Sequence, residues 1–176
     1  MFIRAYLRAS ADDQDAARAK RQLLAFAKER GLKIAACYIE NVSGASLQRP
    51  ELFRLLGDSE PGDVLLLEQV DRLSRLTTSD WERLKGDIKA KGVRIVALDL
   101  PTSWMFLRAS EDDFTSRMVG AINEMLLDML AAIARKDYED RRRRQAQGIA
   151  RAKTAGLYKG RPENTEKNAA VTALLK

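Results

Sequence analysis

DVLLLEQV (63–70) is the stretch on which the fold turns. A valine and three leucines follow one another without a polar break. A half-exposed strand alternates apolar and polar residues; an unbroken run of this length fits a strand covered on both faces, as in the interior of a parallel sheet. Outward from it, the flanking segments fall into the alternation that such a sheet requires. ELFRLLGD (51–58) before it reads as a short helix, stopped by Gly57 and EPGD (60–63). SDWERLKGDIKAKG (79–92) after it reads as a helix with a Ser or Asp cap and Gly92 at its end. VRIVALDL (93–100) is a further strand. Towards the N-terminus, MFIRAYL (1–7) and LKIAACYIE (32–40) are strands. Between them lies the helix DQDAARAKRQLLAFAKERG (13–31), with Leu23, Leu24 and Ala27 as its apolar stripe and Gly31 just past its end. The expected class is α/β, with a mostly parallel central sheet flanked by helices. In such folds the site lies beyond the carboxyl ends of the strands. Ser10, the polar loop NVSGASLQRP (41–50) and DRLSR (71–75) all follow strands and can meet there.

Beyond about Asp112 the pattern changes. To Ala155 there is no proline, and only Gly120 and Gly148 interrupt. One long helix is expected, following the flanking-helix sheet. Its first half, MVGAINEMLLDMLAAIA (118–134), is apolar nearly all round and calls for cover by a second subunit. Its second half, RKDYEDRRRRQAQGIARAK (135–153), is basic and suits DNA phosphates. TAGLYKGRP (154–162) ends it, and ENTEKNAAVTALLK (163–176) begins a further helix that reads as the start of a truncated second domain. The expected division is 1–110 for a catalytic domain, 111–155 for the long helix, and 156–176 for a linker and that domain's beginning.

Composition narrows the chemistry. The 176 residues carry a net charge of +6 and contain no histidine and a single cysteine, Cys37. No intramolecular disulfide can form, and histidine can serve neither as base nor as metal ligand. The basic balance points to an anionic partner, nucleic acid first. The chain has neither a signal-peptide pattern nor an apolar run long enough to span a membrane, so no membrane partner and a cytoplasmic location are expected.

Within AYLRAS (5–10), Tyr6, Arg8 and Ser10 alternate with apolar residues and share one face of the strand. Arg8, Arg49, Arg72 and Arg75 all fall at strand ends or in the loops after them. Arg72 and Arg75 are three apart, so one helical turn places them on one side. Guanidinium groups converging on one spot need an anion between them, and their planar forks match phosphate. Fixed positive donors stabilise the charge that builds on a phosphodiester in transfer. A serine among them can act as nucleophile. Asp71 can hold an arginine or move a proton. The residues describe a metal-independent phosphoryl-transfer site. Glu68 beside it reads as a structural ion pair with an arginine, Cys37 as core, and Trp81 and Trp104 as packing residues.

In order, YLRAS (6–10), SGASLQRPEL (43–52), DRLSR (71–75) and a long helix ending in GLYKGRP (156–162) resemble the serine recombinases, the resolvases and invertases, from end to end of the chain. The resemblance implies a site-specific recombinase of double-stranded DNA that uses a 5′-phosphoserine intermediate without metal or ATP. It implies a homodimer that forms a tetramer when synapsed, in a bacterial mobile element. By motif position, Ser10 becomes the nucleophile, Arg8, Arg72 and Arg75 hold the scissile phosphate, and Arg49 completes that cluster. Asp71 becomes the acidic partner, Gln14 a supporting amide and Ser43 part of the frame. Arg141, Arg142, Arg143, Arg144, Arg151, Lys153, Lys159 and Arg161 become DNA contacts. Ala19 stands where a glutamine is common in the family, Tyr138 where an arginine is frequent, and Glu68 where some members carry lysine. Two rival readings are a non-catalytic DNA-binding regulator on the same fold and a metal-dependent nuclease. The second needs clustered carboxylates, and the only adjacent aspartate pairs are Asp12–Asp13 and Asp112–Asp113.

Overall fold

A computed structural model describes residues 1–8, 13–41, 45–107 and 113–157; side chains of residues 13–15, 113 and 116 are outside that description. Four strands, β1 (Ile3–Arg8), β2 (Ile34–Glu40), β3 (Val64–Leu67) and β4 (Arg94–Ala97), form one sheet in the order β2-β1-β3-β4, every pair parallel. The helices are α1 (Asp13–Glu29), α2 (Pro50–Gly57), α3 (Asp71–Ser74), α4 (Thr78–Ala90) and α5 (Asp113–Thr154), with a 3₁₀ segment at Pro101–Leu107. The chain divides into a unit of residues 1–138 and a second from Glu139 onward.

All four residues of β3 are buried, as the uninterrupted LLL run requires. The sheet separates two cores. Ile3, Ala5 and Leu7 of β1 pack with Leu23 and Phe26 of α1 on one face. On the other, Tyr6 joins Leu52, Leu55, Leu73 and Leu84. The period-2 alternation of β1 thus sends Tyr6 and Arg8 to the α2–α3 side and leaves α1 to the apolar set. The stripe of α1 differs from the expected one: Leu24 is exposed, and Phe26 takes its place beside Leu23 and Ala27. Positions i, i+3 and i+4 share a face, whereas i+1 is turned 100° away. Cys37 is half-buried at the margin of the α1-side core instead of within it. Trp81 is buried and donates from Nε1 to Asp128 at 2.9 Å, and Trp104 meets Phe26 edge to face at 5.2 Å.

The helix ends are secured by identifiable groups. Arg49 occupies the N-cap of α2 with Pro50 following, and the free amides of Glu51 and Leu52 donate to Glu40 Oε2 at 2.9 and 3.3 Å. Glu40, at the tip of β2, supplies the carboxylate that the positive end of α2 favours. Thr77 caps α4, accepting from the amide of Asp80 at 3.2 Å. Gly92 closes α4 with φ of 65°, and a Cβ there would lie 3.2 Å from Pro61 Cβ. No helix among the described residues is long and apolar enough to cross a membrane.

Within the first unit, α5 buries Asn123, Leu127 and Ala131 and exposes Met118, Ile122, Met125, Met129 and Ile133. Spacings of three and four put the exposed set on one stripe. In the second unit Arg141, Arg142, Arg143, Arg144, Arg151 and Lys153 are all exposed. Arg143 pairs with Asp140 at 3.0 Å. The helix closes with Gly156 at φ 68° and the Leu157 amide bonded back to the Ala152 carbonyl at 2.9 Å.

Candidate active site

The site forms around α3, a helix of only four residues. One turn has too few internal hydrogen bonds to persist alone, and side chains from three other elements hold it. At its start, the carboxylate of Asp99, just after β4, accepts from the Val70 amide at 3.1 and 3.2 Å. At its end, Arg49 Nη1 donates to the carbonyls of Arg72 and Leu73 at 3.2 and 2.9 Å, and Arg8 Nε donates to the Arg72 carbonyl at 3.3 Å. Acid at the N-terminus and bases at the C-terminus match the helix dipole. Arg135 of α5 adds a bond from Nη1 to the Arg75 carbonyl at 3.4 Å.

This arrangement sorts the predicted arginines. Arg49 is 1% exposed, and its Nε donates to the Ser46 carbonyl at 2.9 Å. It spans the 41–49 loop and the backbone of α3. Arg8, Arg72 and Arg75 are only partly buried and surround the tip of β1. Arg75 is paired with Asp71 Oδ2, one turn back, and Arg72 Nε lies 3.6 Å from Asp71 Oδ1. Arg72 Nη2 also meets Glu68 Oε2 at 3.2 Å, and Arg18 Nη1 meets Glu68 Oε1 at 2.5 Å. The ion-pair reading of Glu68 therefore holds.

Two donors stand out. Among the described residues, Arg8 Nη2 and Arg75 Nε are buried with no hydrogen-bond partner. An unpaired buried donor on a charged group is costly and marks a place where an acceptor is expected. The Arg8 guanidinium is pulled down to about 10, first by burial and then by the neighbouring Arg75, Arg49 and Arg72, with Asp71 opposing. An anion among these groups would relieve that crowding. Tyr6 is held protonated: burial pushes its phenol up and Glu40 adds to this, against the pull of Arg49 and Arg8. It is no base at neutral pH. Burial also raises the Asp99 carboxyl, with Asp71 and Glu68 adding repulsion and the Val70 amide opposing.

Ser10, Ser43, Lys159 and Arg161 lie outside the described residues. Gln14 lies in the first turn of α1, and its side chain is likewise outside them. Asp99 and Arg135 were not anticipated from the sequence. Asp99 had a usable signal, an acid directly after a strand at the sheet's carboxyl edge; Arg135 had none beyond its place on α5. Among the described residues, no group of three His, Cys, Asp or Glu is placed to hold a metal. The geometry assembles a cluster of guanidinium groups suited to a single oxyanion.

Residues 3–158 match the family described as “Resolvase, N terminal domain”. A protein from Escherichia coli named “Resolvase” is 41% identical over 161 residues, covering 90% of this chain and 71% of its own. The “Integrase-like protein y4lS” of Sinorhizobium fredii is 34% identical over 140 residues, 77% of this chain and 68% of its own. The “Transposon Tn1546 resolvase” of Enterococcus faecium is 30% identical over 163 residues, 93% of this chain and 76% of its own.

Proposed function

The chain belongs to the resolvase family, and on that premise we propose that it is a site-specific DNA recombinase whose nucleophile is Ser10. In the first step Ser10 Oγ attacks the scissile phosphorus. The Oγ–P bond forms as the P–O3′ bond breaks, the serine gives up its proton, and the 3′ oxygen leaves as a hydroxyl. The DNA 5′ phosphate is then a phosphoserine ester. A free 3′ hydroxyl reverses the step on a recombined strand, so the bond energy is conserved and neither metal nor ATP is consumed.

One observation carries this reading: Arg8 and Arg75 each hold a buried N–H, unpartnered among the described residues, at the carboxyl edge of the sheet, beside Arg72. Such donors stabilise the oxygens of a pentavalent phosphorus. Asp71, engaged by both Arg72 and Arg75, acts as the residue that orients them. Arg49 serves the site through the backbone of α3. The exposed stripe of α5 fits burial against the same stripe of a second copy, giving a dimer that pairs into a tetramer for strand exchange. The exposed arginines 141–144, with Arg151 and Lys153, fit the DNA backbone.

Covalent capture tests the proposal. The chain is incubated, without divalent metal, with a supercoiled plasmid carrying the DNA that flanks its own gene. Denaturing electrophoresis should show protein joined to 5′ DNA ends, and none with Ser10→Ala. Specific binding without an adduct would favour a non-catalytic regulator. Cleavage that requires magnesium and leaves protein-free ends would point to a nuclease.

A further inference from the structure

Arg72 is engaged at two of its three edges before any DNA arrives. Nη2 has two hydrogens, and two acceptors face it, Glu68 Oε2 and Gln69 Oε1, both at 3.2 Å. Nε faces Asp71 Oδ1 at 3.6 Å. Among the described residues, no acceptor faces Nη1. Glu68 is itself constrained: its side chain is 12% exposed, and its second oxygen is taken by Arg18 of α1 at 2.5 Å. Arg18 is braced in turn by Gln22, one helical turn on, with Nη1 to Oε1 at 2.9 Å. A chain of contacts thus runs from α1 through the carboxylate to the guanidinium of α3. Long side chains otherwise lose much rotamer freedom on binding, and a group fixed in advance binds with less of that cost.

We propose that Glu68 is a positioning residue for Arg72, holding the guanidinium by its Nη2 edge so that its Nη1 edge is presented to the DNA phosphate. This rests on the reading of the arginine cluster as the phosphate site. It carries an unusual consequence. Glu68 places a negative charge beside a site for an anion, so it weakens ground-state phosphate binding while it aligns the donor that the transition state uses. Arg18 offsets part of that charge and keeps the carboxylate from closing fully on Arg72. Affinity and rate therefore move in opposite directions when Glu68 is neutralised, which loss of a mere structural brace would not produce.

The test combines two readouts on the whole chain. Inorganic phosphate is titrated while the arginine Nε–H resonances are followed by NMR, and the rate of Ser10–DNA adduct formation is measured on the flanking-DNA plasmid. Glu68→Gln should bind phosphate about three- to fivefold more tightly, the range of one partly screened charge, and form adduct roughly tenfold more slowly. Glu68→Asp keeps the charge but is one carbon too short to reach both arginines; its rate should fall without the gain in affinity. Arg18→Gln should weaken phosphate binding. Phosphate affinity and adduct rate falling together, with a lowered melting temperature, would make Glu68 a structural brace and overturn the proposal; so would no change in either. A wild-type chain whose phosphate binding is indifferent to Arg8→Gln would overturn the phosphate-site reading itself.

Discussion

Arg49→Ala separates support from chemistry within one cluster of arginines. In the folded chain this side chain is 1% exposed and donates to three backbone carbonyls, those of Ser46, Arg72 and Leu73, at 2.9, 3.2 and 2.9 Å. Truncation leaves these acceptors without that donor and removes the cation beside buried Glu40. The Arg72 carbonyl keeps its bond from Arg8 Nε; each of the other two acceptors, left without this donor, costs about 1–2 kcal/mol, the lost cation beside Glu40 adds to that, and relief of repulsion with Arg8 returns part of the sum. The expected loss is about 3–5 kcal/mol, or roughly 10 °C in melting temperature for a domain of this size. Arg49→Met, which restores most of the volume but no donor, should lose nearly as much. By contrast, Arg72 is partly exposed, and its pairs with Glu68 and Asp71 are screened; Arg72→Gln should cost under about 1 kcal/mol while removing phosphate binding. The assay is urea unfolding followed by far-UV circular dichroism, at one protein concentration throughout so that assembly is constant. A loss below about 1 kcal/mol for Arg49→Ala, or an equal loss for Arg72→Gln, would refute the division of labour.

Asp99 gives a pH prediction. Its carboxyl is raised in the folded state, chiefly by burial, so folding favours its proton. The resulting stability is fully present below the unfolded carboxylate pKa and is lost as pH rises through the raised folded value. Asp99→Asn, which can still accept from Val70, should equal or exceed the wild type in stability at neutral pH. That advantage should shrink as pH falls through and below the raised folded value, as measured by urea midpoints from pH 3 to 7. On α5, Met125→Glu or Ile122→Glu puts a charge in the exposed stripe and should shift the chain to monomer in sedimentation velocity, with unchanged circular dichroism. Arg143→Gln or Arg144→Gln should each lower the slope of log affinity against log salt for duplex DNA by about 1. An unchanged slope would take these residues off the DNA.

The sheet could be read from DVLLLEQV and its flanking periodicity because burial on both faces leaves a direct mark in residue type. The helix of α3 and the arginines at its ends followed from motif order. The roles within the cluster could not be read in this way. Arginine is ordinarily exposed, and nothing local in SLQRPEL distinguishes an exposed loop arginine from one whose partners are carbonyls 23 and 24 residues away. The place of Asp99 at the end of its strand was legible, but its partner was not, since that amide is 29 residues distant. The error at Leu24 was of another kind: two adjacent leucines cannot share one helical face, and the aromatic two residues on defined the stripe.

The pairing of β1 has a consequence for how the protein comes to exist. Its partners are β2, beginning at Ile34, and β3, beginning at Val64, and the Phe2 amide is bonded to Asp63, 61 residues away. A nascent chain therefore carries its first strand without β2 until residue 40 has left the ribosome and without β3 until residue 67 has, and β3 waits again for β4. Parallel pairings of this separation fold slowly because loop closure precedes any reward. The groups around the proposed anion site come from positions 8, 49, 72, 75, 99 and 135, so only a chain that has reached residue 135 holds all of them. On the proposed reading, a DNA-cutting centre built in this way stays incomplete until most of the chain has been made.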